Sequence, residues 1–202
     1  MSKQNPEGLA KKAAQDKELL SQLIEGILTK KASTRFTSFN ALTILSEEHP
    51  EVLYPEFDHF VDLLGSKDNS SRYIALHIIA NLTTVDTEKK FEQVFDKYFN
   101  LFDDRNLPTA AHAVGNSGKI AKAKPELETK ISKKLLNIDE TSHTPEHKDL
   151  MKSYAVDAFG EYFDVASDKL KILEFVKKQL YSKSPRARKA VKEFLEKWGK
   201  TE

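Results

Sequence analysis

Residues 72–82 read RYIALHIIANL, and residues 35–45 read RFTSFNALTIL. Each begins on arginine and carries small or apolar residues three, six, seven and ten positions later, the spacing of one face of an α-helix. From Arg35 these are Ser38, Ala41, Leu42 and Leu45; from Arg72 they are Ala75, Ile78, Ile79 and Leu82. The frame fits three more times. From Ala110 it selects Ala113, Asn116, Ser117 and Ile120; from Lys152, Ala155, Ala158, Phe159 and Tyr162; from Arg188, Val191, Phe194, Leu195 and Trp198. The anchors are 37, 38, 42 and 36 residues apart, a period that signals stacked repeats.

Before each of these segments stands another amphipathic one, at 16–30, 51–65, 87–102, 125–138 and 168–181, with apolar residues at steps of three and four. Ten helices in five pairs result. Pro50, Pro108, Pro125 and Pro185 fall between helices or at their starts, and Ser184 before Pro185 reads as an N-cap followed by proline in the first turn. No alternating β-branched run competes as a strand. One pair cannot bury its apolar faces alone, whereas neighbouring pairs stacked together can.

A basic anchor, a small residue three later and apolar residues at six, seven and ten, in pairs of this length, resembles the HEAT and armadillo-like class of repeats. SPRARKAVKEFLEKWG (184–199) and AVGNSGKIAKAKPEL (113–127) carry the second-helix pattern best. The resemblance implies an all-α fold, a right-handed α–α superhelix of five antiparallel helix pairs. It spans residues 16–199 as a single domain, with repeats at about 16–48, 51–84, 87–123, 125–166 and 168–199, and residues 1–15 form a flexible N-terminal segment. It also implies a scaffold or adaptor that holds a macromolecule on a concave face lined by the second helices.

Composition narrows the alternatives. The 202 residues are 39% hydrophobic, enough for a sizeable core. No apolar run of membrane-spanning length is present, nor a signal-like stretch in MSKQNPEGLAKKAAQ, so a soluble cytoplasmic protein is the expectation. Without cysteine there is no thiolate nucleophile or thiolate metal site. The net charge of +1 hides an asymmetry: residues 1–104 carry 12 basic and 17 acidic side chains, and 105–202 carry 20 and 14.

If the buried stripe lies at offsets three to ten, offsets one, five, eight and nine face away from it. That face shows Phe36, Asn40 and Ile44; Tyr73, His77 and Asn81; Ala111, Gly115 and Lys119; Ser153, Asp157 and Glu161; and Lys189, Glu193 and Lys197. Mixed aromatic, amide and charged groups suit recognition of a protein or peptide, with Phe36 and Tyr73 as anchors. The plain alternative is a solvated face with its aromatics leaning over neighbouring repeats. A different class of function, nucleic-acid binding, would use Lys178, Lys183, Arg186, Arg188, Lys189 and Lys192, part of a basic stretch that runs to Lys200.

The third repeat departs from the pattern, since Gly115, Asn116, Ser117 and Gly118 replace bulky residues. These mark either a hinge or close ligand approach, or space filled by Phe91, Phe95, Phe99 and Phe102 of the preceding helix. His143 and His147, with Glu146 and Asp149, have a metal-like spacing but fall in the polar stretch IDETSHTPEHKD, read as a flexible loop, with Pro145 between them. Tyr73, His77, His112 and Asp157 could serve acid–base chemistry only if brought together from separate repeats. No phosphate-binding glycine loop, nucleophile elbow or dinucleotide fingerprint occurs. The expectation is therefore an interaction module with no catalytic residue, metal, cofactor, small-molecule substrate or membrane contact.

Overall fold

Ala75, Ile78, Ile79 and Leu82 have no exposed surface in the computed structural model of the chain, which describes residues 5–199. Lys200 therefore lies outside the described residues. Every regular element among them is helical. In chain order the α-helices are α1 (Pro6–Ala13), α2 (Lys17–Gly26), α3 (Ala32–Glu48), α4 (Pro50–Leu53), α5 (Phe57–Leu63), α6 (Asn69–Leu82), α7 (Lys90–Phe99), α8 (Leu107–Ala123), α9 (Glu128–Leu136), α10 (Pro145–Tyr162), α11 (Lys169–Lys178) and α12 (Pro185–Trp198). The second helices of the repeats are α3, α6, α8, α10 and α12. Their stripes are buried as the periodicity requires, except that Leu195 and Trp198 of α12 are only partly covered.

The helices start where short polar side chains cap them. Asp68 accepts from the Ser71 amide (2.9 Å), Asn106 from that of Thr109 (3.1 Å), and Ser184 from that of Ala187 (3.3 Å). Proline occupies the first turn of α8, α10 and α12, where its missing N–H is not needed. Inside the expected helix at 51–65 it has the opposite effect. Pro55 cannot donate to the ladder, so α4 and α5 are separated by a 3₁₀ turn at Tyr54–Glu56.

Two expectations change. Residues 6–13 of the supposedly flexible leader form α1, which buries Leu9, Ala10 and Ala13 and packs on α3; Asn5 caps it and Pro6 opens it. The stretch 138–149 is not a loop throughout, because α10 begins at Pro145 and contains His147. The residues before α10 are fixed as well: the Ser142 amide donates to Asp103 (2.7 Å), and His143 Nε2 lies 2.9 Å from the Phe102 carbonyl. By its internal contacts the chain divides between Val94 and Phe95 into two compact units.

In the first unit α3 packs on α1, α2 and α6, and α5 on α6. Buried Asp86 closes it. Its carboxylate accepts from the Tyr54 hydroxyl (2.6 Å) and from the amides of Lys90 and Phe91 (2.9 and 3.0 Å), capping α7 just after Lys89, whose φ of 56° is left-handed.

In the second unit α10 lies between α8 and α12. A Cβ on Gly118 would fall 2.6 Å from the Ala158 carbonyl oxygen and 2.8 Å from its Cα, and one on Gly115 would fall 3.0 Å from Tyr154 Cδ1. The small residues of the third repeat thus let the α10 backbone approach α8. That space needs no ligand or hinge to account for it. Asn116 is hydrogen-bonded to buried Tyr98, and the Ser117 hydroxyl to the Ala113 carbonyl (2.9 Å). Buried Glu128 at the start of α9 accepts from Ser132 (2.7 Å) and from the Ser167 hydroxyl (2.6 Å).

Gly118→Ala should therefore destabilise the protein by about 1–3 kcal/mol despite alanine's better helix propensity, because the obstructing atoms are backbone. Gly8→Ala in α1, where no atom lies within 4 Å of the added methyl, should be neutral or stabilising. Urea unfolding of both variants checks the pair; equal midpoints would show that α10 can move away from α8.

Candidate partner-binding face

On the first unit, the outward residues of α3 and α6 form a row of rings. Phe36 is 66% exposed. Phe39 meets Tyr73 edge-on at 5.8 Å between centroids and His77 at 5.9 Å, while Tyr73 and His77 lie 4.8 Å apart. Tyr73, His77, Phe39, Asn40 and Ile44 are half-buried. Phe39 escapes the sequence reading because its offset of four falls between the two faces, and only the neighbouring helix shows on which side it ends. Arg35 and Asp68 stand 3.9 Å apart near these rings in sequence, and serine amide and hydroxyl donors hold the Asp68 carboxyl below its ordinary value against its partial burial.

Asn81, expected on this face, is not available there. It is buried and donates from Nδ2 to Ser46 Oγ (2.9 Å), which in turn donates to the Thr43 carbonyl (2.8 Å). The α3–α6 contact covers it.

On the second unit the face is polar and linked across three helices. Tyr154 lies in the slot left by Gly115, 5.4 Å from the His112 ring, and Arg186 of α12 stacks on Tyr154 with its guanidinium carbon 3.9 Å from the ring centroid. Arg186 donates to Ser153 Oγ (2.6 Å) and to Asp157 (2.8 Å). Tyr154 is missed by the sequence reading, in which Gly115 is the local sign of a ring beside it, while His112 enters only through the acid–base grouping with Tyr73, His77 and Asp157.

Burial raises the Asp157 carboxyl above its ordinary value despite the opposing Arg186 charge. Burial likewise raises Glu161, although Lys119, Lys122 and Lys197 pull the other way. Both side chains nonetheless keep exposed surface, so the shifts reflect partial burial against α8 and α12 and not removal from water. Ala111 and Ser153 are buried, while Lys189 and Glu193 pair with each other at 3.5 Å on the open side of α12.

The basic group divides in two. Arg186 is held by Tyr154, Ser153 and Asp157, and Arg188 donates to the carbonyls of Ser182 (2.6 Å) and Lys183 (3.1 Å). Lys178, Lys183, Lys189 and Lys192 are exposed. A phosphate-contacting surface would therefore have lysines but not its two arginines.

Among the described residues no group of three or more His, Asp or Glu side chains could hold a metal, and no helix is long and apolar enough to cross a membrane. His143 and His147 stand 5.9 Å apart between ring centroids. Tyr73 and His77 belong to the first unit and His112 and Asp157 to the second.

No family model and no curated protein matches the chain. Solved structures do. A designed armadillo repeat protein aligns with a TM-score of 0.57 at 17% identity, covering 95% of this chain and 90% of its own. An engineered protein aligns at 0.50 and 16%, covering 96% and 88%, and a designed armadillo repeat protein in complex with the peptide (KR)4 at 0.51 and 15%, covering 95% and 90%. At these identities the likeness is one of fold: an armadillo/HEAT-like, all-α repeat.

His112 supplies a pH test. Burial, then the Arg186 charge, lowers its pKa, so the unfolded chain takes up a proton that the folded chain resists. Its contribution to stability is full above the unfolded pKa of about 6.5 and is lost as pH falls towards the folded value. Asp157 and Glu161, with raised values, act in the opposite sense at lower pH. Urea midpoints between about pH 7.5 and 6 should fall less for His112→Asn than for the wild-type protein. Parallel profiles would show that the ring is not kept neutral by its site.

Proposed function

We propose that this protein is a non-catalytic interaction module that holds an extended peptide segment of a protein partner on its second-helix face. The observation that carries the reading is the ring row Phe36, Phe39, Tyr73 and His77 on α3 and α6, with Phe36 two-thirds in solvent. Exposed phenyl surface gains from cover, and aromatic anchors dominate the energy of most recognition surfaces. Asn40 beside them supplies an amide for register. Lys119, Asp157 and Glu161 form a second, charged stretch on the other unit, where Glu161 is exposed and Asp157 is already paired with Arg186. The solved complex of a protein of this fold with the peptide (KR)4 supports a peptide as the partner class.

The test is a peptide-display selection on the wild-type protein, with affinities of the enriched peptides measured by fluorescence anisotropy. Phe36→Ala with Tyr73→Ala should weaken binding at least about tenfold, corresponding to hot-spot losses near 1–2 kcal/mol, with unchanged far-ultraviolet circular dichroism. Binding unaffected by the double substitution would remove this face from the function. Enrichment of no peptide at all would remove the peptide reading.

A further inference from the structure

Away from the second helices, a cleft of about 450 Å³ opens between the end of α7 and α9, lined by Phe99, Phe102, Asp103, Lys130, Lys133, Lys134, Asn137 and Glu140 among others. Its lysines occupy positions i, i+3 and i+4 of α9, one side of the helix, so their ammonium groups share one concavity. Like charges so placed repel each other. Two carboxylates of the cleft, Asp103 and Glu140, offset this charge only in part: Asp103 accepts from the Ser142 amide and hydroxyl (2.7 and 3.0 Å), Glu140 accepts from Asn137 (2.9 Å), and neither pairs with any of the three lysines, which leaves a net positive cleft. Lys130 is instead held over the Phe95 ring, its Nζ 4.1 Å from the centroid, a contact that positions a cation without neutralising it.

We infer that this cleft binds a phosphate-type oxyanion. Ammonium groups are point charges without the planar fork that matches a carboxylate, and several of them around one point suit a tetrahedral group carrying two charges. Phe99 and Phe102 make an apolar wall, against which each charge contact is stronger than in open water. A cleft of about 620 Å³ near the starts of α10 and α12 shows the contrast: Lys152, Lys178 and Lys183 there face Asp139, Glu146 and Asp149, and Lys152 is already paired to Asp139 at 2.6 Å. The plain alternative for α9 is that Lys133 and Lys134, in its last turn, only complement the helix dipole. The site shares no residue with the proposed peptide face, so either can fail without the other.

Amide NMR of the full chain, titrated with inorganic phosphate and pyrophosphate at low ionic strength, tests the inference. Saturable shifts confined to residues 99–103 and 130–141 are expected. Lys133→Ala with Lys134→Ala should weaken binding at least about tenfold, while the charge-matched Lys178→Ala with Lys192→Ala leaves it unchanged. A phosphoserine peptide binding more tightly than free phosphate, and losing affinity when dephosphorylated, would make a phosphorylated protein the source; equal affinities would make it a free phosphorylated small molecule. Shifts that grow without saturation, or equal weakening by both pairs of substitutions, would reduce α9 to a solvated lysine face and overturn the assignment.

Discussion

The Ala158 carbonyl lies so close to Gly118 that no side chain larger than hydrogen fits between α8 and α10. The second unit is arranged around that approach. It places Tyr154 in the slot at Gly115, and the tyrosine ring carries Arg186, so α12 is fastened to α10 through a stacked cation and two hydrogen bonds. A glycine on one helix thus governs the seating of an arginine two helices away. Polar groups that looked free for a ligand become the fastening: Ser153 and Asp157 accept from Arg186, and burial, with the Arg186 charge, lowers the His112 pKa beside it.

The basic residue that opens several repeats has a local meaning. Arg72 donates to the Ser66 carbonyl (2.7 Å), and Arg188 donates to the Ser182 carbonyl (2.6 Å), each reaching back six residues across the turn before its helix. Lys152 does the corresponding work with a side chain, pairing with Asp139 at 2.6 Å. Charge-assisted bonds to carbonyl groups otherwise left to water fix the entry angle of the second helix. The regularity that identifies the repeat is a device for holding turns, and a partner need not touch it. The partner-facing chemistry lies instead at positions where the repeats differ from one another, such as Phe36 in α3 against Lys119 in α8.

A division of labour follows between the two sides of the repeats. First helices such as α7 and α9 spend their apolar residues on the core, and the outward positions of α9 carry lysines that gather where the cleft at Phe99 is concave. Second helices bury small residues, which brings helices close and leaves larger residues, Phe36 and Tyr73 among them, to form the surface between neighbours. Both candidate surfaces thus come from the size pattern of the buried stripe.

Spacing alone determined much of this. A period of three to four residues dictates helix, its recurrence every 36 to 42 residues dictates stacked pairs, and Ser184 before Pro185 marks a helix start, because each depends only on neighbours along the chain. The α1 start was equally legible in Asn5 and Pro6, but its helix is too short for periodicity to reveal. Tertiary structure decided which outward residues are open. Asn81 and Phe36 both fall on the face predicted to be outward, yet α3–α6 packing buries the first and leaves the second in solvent. Arg186 differs from Lys192 only in what α10 places beside it, and Lys130, Lys133 and Lys134 become a cleft only because the end of α7 stands opposite. Exposure and charge pairing depend on distances between segments far apart in sequence, and no local periodicity encodes them.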